Sequence, residues 1–202
     1  MKTFVKMLPR AFAVLLAATV VLGVAYPLVI FGVGQAFFPY QANGSVIEVD
    51  GKAVGSELLA QWFSDDGHMW GRVMDVDTSS ITTSDGSSTL YATPSNLSPA
   101  SDKYSQLIAE RVAKLRAANP DEGDTAIPVD LVTCSGSGLD PDISVAAAEY
   151  QIPRIAAATG LSTDKLESII DDATTDRFLG VFGERNVNVL KVNLAIDAAL
   201  GE

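Results

Sequence analysis

From Ala11 to Phe38 the chain runs 28 residues without one charged side chain, and its first acidic residue is Glu48. A helix rising ~1.5 Å per residue needs only about 20 residues to cross a hydrocarbon layer of ~30 Å. This stretch therefore predicts a membrane-spanning helix over 11–36, after a short N-terminal segment (1–10) and before a larger domain (37–202). Pro27 removes one backbone hydrogen bond and predicts a kink in the span. Phe37, Phe38 and Tyr40 stand where an interfacial aromatic belt would, just before the polar Gln41-Ala42-Asn43-Gly44-Ser45.

A cleaved signal peptide is the competing reading, with Lys2, Lys6 and Arg10 as its basic region and small-x-small triplets at Gly23-Val24-Ala25 and Gly34-Gln35-Ala36. The apolar run continues past the first triplet through Tyr26-Pro27-Leu28-Val29-Ile30-Phe31, beyond the ~7–15 residues of a signal core, which favours a retained anchor. Basic residues flanking a span are held on the cytoplasmic side. Three precede this one and none follows until Lys52, so the N-terminus is expected in the cytoplasm and the bulk of the chain outside the cell membrane.

Residues 39–202 hold 11 of the 14 basic residues and all 25 acidic ones, a formal charge of −14. Such a domain repels polyanions, which excludes nucleic acid as an expected partner; the negative field either gathers cations or simply keeps the domain soluble. Cys134 is the only cysteine, so no internal disulfide forms and the domain must hold by packing, with Cys134 read as a small buried hydrophobe.

The local patterns predict an α+β extracytoplasmic domain anchored by one N-terminal transmembrane helix. Ser45 to Val54 reads as a β-hairpin turning at Asp50-Gly51. Glu57 to Phe63 reads as a short helix and Ser64 to Arg72 as a loop. Thr78 to Ser101 holds 13 Ser or Thr in 24 residues and reads as a long surface segment. Ser98-Pro99 is expected to open a helix whose buried stripe is Tyr104, Leu107, Ile108, Val112 and Leu115, and which Asn119-Pro120 ends. Val129 to Cys134 reads as a strand. Ser144 caps an Ala-rich helix running to Gly160 and disturbed at Pro153, Ser162 caps another over Thr163 to Thr174, and Asn186 to Leu194 reads as a half-buried strand.

No catalytic constellation is visible. His68 is the only histidine, so a His-based metal cluster is excluded and a Ser-His-acid triad would depend on one loop residue. Ser135 and Ser137 lie in no Gly-x-Ser-x-Gly elbow, and no Gly-Lys-Ser/Thr follows the glycines of LVTCSGSGLDP. Asp140 and Asp142 follow that turn, with no Lys or Arg between Arg116 and Arg154, so local charge opposes a phosphate there. The acidic pairs Asp65-Asp66 and Asp171-Asp172 read as solvated loop and helix ends.

Taken in order, Tyr26-Pro27-Leu28, Gln41-Ala42-Asn43-Gly44-Ser45, Gly71-Arg72, Ser95-Asn96-Leu97, Leu115 to Pro120, Pro128 to Pro141, Gln151-Ile152-Pro153-Arg154 and Val187-Asn188-Val189-Leu190 resemble the C subunit of the Kdp potassium-transporting ATPase over about residues 8–197. The resemblance implies a non-catalytic accessory subunit in a complex with a channel-like potassium-translocating subunit and a P-type ATPase subunit that forms an aspartyl phosphate. ATP, magnesium and potassium would be handled by the complex, and no cofactor is assigned to this chain. For the family, a catalytic-chaperone role has been proposed, in which a glycine-rich stretch and a glutamine raise the ATP affinity of the ATPase subunit. Carried over, these are Ser135, Gly136, Ser137, Gly138 and Gln151. Assembly through the span would use Gly23, Pro27, Gly32 and Gly34, with Asn43 and Gly44 just after it. Asp142 and the Val73–Pro94 stretch depart from the family pattern. An outside domain also cannot meet cytoplasmic ATP, so assembly with the translocating subunit is the preferred role. The alternatives are a membrane-anchored extracellular binding or adhesion domain, or an anchored enzyme using Ser137.

Overall fold

The computed structural model describes residues 2–74, 76–82 and 88–201. It divides into two compact units, 1–46 and 47–202. The first unit is helical from α1 (Lys2–Ala18) through a π-helical stretch (Thr19–Ala25) into α2 (Tyr26–Phe37). Lys6–Phe37, 32 residues of which none is buried, is long and apolar enough to cross a membrane. The disturbance expected at Pro27 takes a specific form. Proline sits in the first turn of α2, and the Tyr26 N–H just before it bonds the Val21 carbonyl five residues back. The wider π turns take up the register that the missing proline N–H would break. After Phe38 leaves helical geometry, the short α3 (Pro39–Ala42) completes the unit.

The second unit opens with β1 (Val46–Val49) and β2 (Lys52–Ser56), joined as expected by Asp50 at φ +51° and Gly51 at φ +75°. These are the two positive φ angles that a tight hairpin demands. Residues 57–63 are not helical: a turn at Ser56–Leu59 leads into irregular chain whose Ala60 N–H donates to the Leu139 carbonyl (3.0 Å). The Ser/Thr-rich stretch is more ordered than a surface loop, with β3 (Val76–Thr82) pairing antiparallel with β4 (Ser88–Ala92). Threonine is β-branched and fits a strand, which composition alone obscured. The part of that expected segment at 83–87 lies outside the described residues.

Helix α4 (Asp102–Ala118) begins three residues later than expected, because the Ser101 hydroxyl, not that of Ser98, accepts the first-turn N–H of Tyr104 (3.2 Å). Its predicted stripe does face inward, with Leu115 fully buried. The strand expected at 129–134 is instead a 3₁₀ turn (Val129–Leu131) followed by a single bridge of Cys134 to Val73. Cys134 is half-buried and free.

The core is built around the sheet β5 (Asp142–Ser144), β7 (Asn186–Asn188) and β6 (Thr174–Thr175), in the order β5-β7-β6, with buried side chains from α4 and from the four helices that follow it. Ser144 caps α5 (Val145–Glu149) through the Ala147 N–H (3.2 Å), while buried Asp130 accepts the Ser144 N–H (2.6 Å). The Ala-rich helix is broken rather than bent. A turn at Tyr150-Gln151 interrupts it, and Pro153 lies in the first turn of a new helix, α6 (Ile152–Thr159), ended by Gly160 at φ +74°. Ser162 caps α7 (Thr163–Asp172) as predicted. The strand expected over 186–194 stops at Asn188, whose side chain accepts the Lys191 N–H (3.1 Å) and starts α8 (Val189–Leu200). Buried Val189, Val192, Asn193 and Ile196 recur at helical spacing. Polar residues between them mimicked strand alternation over too short a window.

Candidate functional site

The glycine turn is closed by its own side chains. Ser135 Oγ lies 3.1 Å from Ser137 Oγ and accepts the Gly138 N–H at 3.0 Å; Ser137 Oγ accepts the Leu139 N–H at 3.2 Å. Asp140 Oδ1 accepts the Asp142 N–H at 3.1 Å. Gly138 has φ +73°, a conformation that favours glycine, whereas a Cβ added at Gly136 would meet nothing within 4 Å. A phosphate cradle aims several backbone N–H groups at one point. Three N–H groups of this stretch are instead consumed by local hydroxyl and carboxylate oxygens.

The charge expected around the turn needs one correction. Arg72, 68 residues earlier in the chain, donates to Asp140 Oδ2 at 3.1 Å, so a cation does reach the turn, already engaged with a carboxylate. Arg111 reaches the neighbouring Val132 carbonyl at 3.0 Å. Asp142 has its carboxyl pushed up by burial, against a hydrogen bond from Asn188 that favours its charge.

Gln151 is fully buried and makes no hydrogen bond to residues 135–138 among those the structure gives. Its Oε1 accepts the Trp70 N–H (2.8 Å) and an Arg154 N–H (2.8 Å). Its Nε2 donates to the Trp70 and Ala147 carbonyls (both 3.0 Å). The amide thus replaces a peptide neighbour for Trp70 and covers a carbonyl left open where α5 breaks.

Around this amide lies a polar clamp that the sequence did not reveal. Arg154, only 5% exposed, sends Nη1 to the carbonyls of Asp65 (3.2 Å), Asp66 (2.7 Å) and His68 (3.0 Å), and Nε to Asn119 Oδ1 (3.3 Å). Burial lowers its pKa to about 10, against the pull of the nearby Asp66 and Asp65 charges, so it stays protonated at neutral pH. Two cations lie over the Trp70 ring, the Arg154 guanidinium 4.5 Å and the Lys114 ammonium 4.7 Å from its centre. Asn193 pairs with both backbone groups of Met69, accepting its N–H at 2.7 Å and donating to its carbonyl at 3.0 Å. The loop 65–70 is therefore fixed by Gln151 and by side chains of α6 and α8, and its Met69 and Trp70 enter the core.

His68 closes the clamp. Its Nδ1 is 2.8 Å from Asp65 Oδ1 and its Nε2 2.8 Å from Asp197 Oδ1, an arrangement that suits an imidazolium donating from both nitrogens. Burial works to lower the His68 pKa, but the hydrogen bonds and charges of Asp197 and Asp65 outweigh it and raise the pKa above 6.5. For Asp65, burial works upward and the His68 interactions outweigh it, leaving its pKa below 3.8. A raised histidine pKa contributes stability that is complete below the unfolded value and lost as pH rises through the folded one; a depressed carboxyl contributes above its unfolded value and loses it in acid. As pH rises above 6.5, through the raised pKa of His68, the melting temperature of the wild type should therefore fall more steeply than that of His68→Gln. Parallel slopes in a thermal melt series would contradict this. Among the described residues, no group of three or more His, Cys, Asp or Glu is placed to hold a metal ion.

The residues named for assembly lie in the first unit. An added Cβ at Gly32 would meet nothing within 4 Å, at Gly34 only the Ala42 Cβ (3.6 Å), and at Gly23 only the Thr19 methyl (3.8 Å). Asn43 folds back on the helix end, its Nδ2 donating to the Pro39 carbonyl (2.6 Å) and to Gln35 Oε1 (3.2 Å). Gly44 takes φ +92° in the turn that follows.

A family model described as the c chain of K+-transporting ATPase matches residues 8–198. The chain belongs to the KdpC family. Its relatives include a potassium-transporting ATPase KdpC subunit of Clostridium botulinum strain Eklund 17B, 52% identical over 200 residues covering 99% of this chain and 100% of the relative. A KdpC subunit of Clostridium perfringens is 51% identical over 197 residues, covering 98% and 100%. One of Burkholderia vietnamiensis is 48% identical over 201 residues, covering 100% and 99%. The resemblance read from the motifs is thus confirmed across the chain, and with it membership of a potassium-transporting ATPase complex. Within this KdpC-family fold, the glycine turn and Gln151 fall into two separate hydrogen-bond networks.

Proposed function

We propose that this chain is a non-catalytic accessory subunit that assembles with the potassium-translocating and P-type ATPase subunits of its complex and stabilises them. It is anchored in the cell membrane by residues 11–36, with its N-terminus in the cytoplasm and the acidic domain outside. The observation that carries the reading is one long apolar helix, basic on its N-terminal flank alone, in a chain matching KdpC subunits end to end. Potassium, ATP and magnesium chemistry belong to the partner subunits. The family's catalytic-chaperone role is disfavoured here, because the hydroxyls of Ser135 and Ser137 serve their own loop and Gln151 is enclosed.

Coexpression of the full chain with the large subunits, followed by purification through a tag on it, tests the proposal. The large subunits should co-elute; a chain that elutes alone would contradict assembly. Small residues let spanning helices approach closely. Gly32→Leu with Gly34→Leu should therefore reduce recovery on the order of tenfold, equivalent to a contact of ~1.4 kcal/mol. Recovery equal to wild type would remove these glycines from the interface.

A further inference from the structure

Between β6 and β7 the chain projects a finger. Phe178, Leu179, Val181 and Phe182 are 72, 75, 69 and 63% exposed, four large apolar side chains within five consecutive residues. The finger has a defined shape. Phe178 and Phe182 exchange both backbone hydrogen bonds (2.8 and 3.0 Å), and the Gly180 N–H donates to the Arg177 carbonyl (2.9 Å). Leu179 is held at φ +53° beside Gly180 at φ +75°. A leucine at positive φ is strained, and such strain persists where surrounding structure fixes it, often at a contact site. At the neck Arg177 pairs with Glu184, and Arg185 with Asp176 (2.9 Å).

We infer that the finger 176–185 is a docking element whose Phe-Leu-Gly-Val-Phe tip enters an apolar recess on the extramembrane surface of a partner subunit of the same potassium-transporting complex. This rests on the assembly reading above and names the surface that would serve it. Monomeric proteins rarely leave such a patch to water. A lipid surface fits less well, because both cations at the neck are already neutralised by carboxylates and the domain carries −14 against anionic headgroups. A second copy fits less well too. Four such side chains offer on the order of 500 Å², while a self-sufficient interface needs roughly 800 Å² per partner. A chain already held beside its partner by a membrane span needs only an anchor of this size, and a rigid tip loses little entropy on entering a shaped recess.

The test places the photoreactive p-benzoylphenylalanine at Leu179 in the full-length chain, coexpressed with the complete complex and illuminated in membranes. Crosslinking to a large partner subunit is expected. Crosslinking to lipid, to a second copy, or to nothing would overturn the inference. In parallel, Phe178→Ser with Phe182→Ser should cut recovery of the large subunits at least tenfold while leaving the melting temperature unchanged, since both rings face solvent. Wild-type recovery by this variant would also overturn it. If the wild-type chain itself fails to co-elute with large subunits, assembly fails and takes the inference with it; if the wild type co-elutes and only the finger results are negative, assembly stands without the finger.

Discussion

Replacing Arg154 by Ala should lower stability by about 3–5 kcal/mol, the largest effect expected from a single change in the second unit. The guanidinium is the common partner of the Asp65, Asp66 and His68 carbonyls, Asn119 Oδ1 and Gln151 Oε1. Removing it leaves the three carbonyls and Asn119 Oδ1 to find new donors, costs Gln151 Oε1 one of its two, and takes one of the two cations from the Trp70 ring. For a unit of this size, ~1 kcal/mol moves the melting temperature by about 2–4 °C, so a drop on the order of 10 °C is expected in a thermal melt. Arg154→Lys should recover less than half of the loss, since one ammonium cannot occupy the positions of Nε, Nη1 and Nη2 together. Full recovery by lysine would show that charge alone matters and the fork geometry does not.

The second large effect falls on Gln151, and it separates two accounts of that residue. Gln151→Ala strands the Trp70 N–H and carbonyl, the Ala147 carbonyl and one Arg154 N–H, at an expected cost of about 2–4 kcal/mol. The loss should appear with no nucleotide in the sample, because the partners of the amide are the chain's own. Gln151 and Arg154 share a hydrogen bond, so the double variant should lose less than the sum of the two single losses. A Gln151→Ala chain with an unchanged melting temperature would mean the amide is not holding Trp70, and would reopen a role in binding.

What the sequence revealed and what it concealed follow from the reach of each interaction. The span is legible because 28 uncharged residues have few other places to go. The β1–β2 turn is legible because Asp50-Gly51 names its own backbone geometry, and Ser144 and Ser162 because a cap lies within three residues of the N–H it serves. Asn188 was harder. The same residue ends β7, caps α8 and donates to the Glu57 carbonyl at 2.9 Å, so the change of period falls inside the stretch that looked like one strand. The clamp was not legible at all. Gln151, Arg154 and Asn193 act on main-chain atoms of 65–70 from 81 to 124 positions away in their closest recorded bonds, and a backbone carbonyl carries no signature in the sequence. His68 was noted as a lone histidine, but its second carboxylate, Asp197, lies 129 residues downstream. A separation of 68 residues likewise hid Arg72 from Asp140, which is why the glycine turn looked free of cations.

The central claim is that this KdpC-family chain serves its complex through surfaces it presents to partners and holds no nucleotide site of its own. Titration calorimetry of ATP with magnesium into the full-length chain, purified alone in detergent micelles, tests it most directly. The account predicts no saturable heat at micromolar to millimolar ATP. Saturable micromolar binding that disappears in a folded Gly136→Val, Gly138→Val variant would contradict it and place the nucleotide at the Ser135–Gly138 turn.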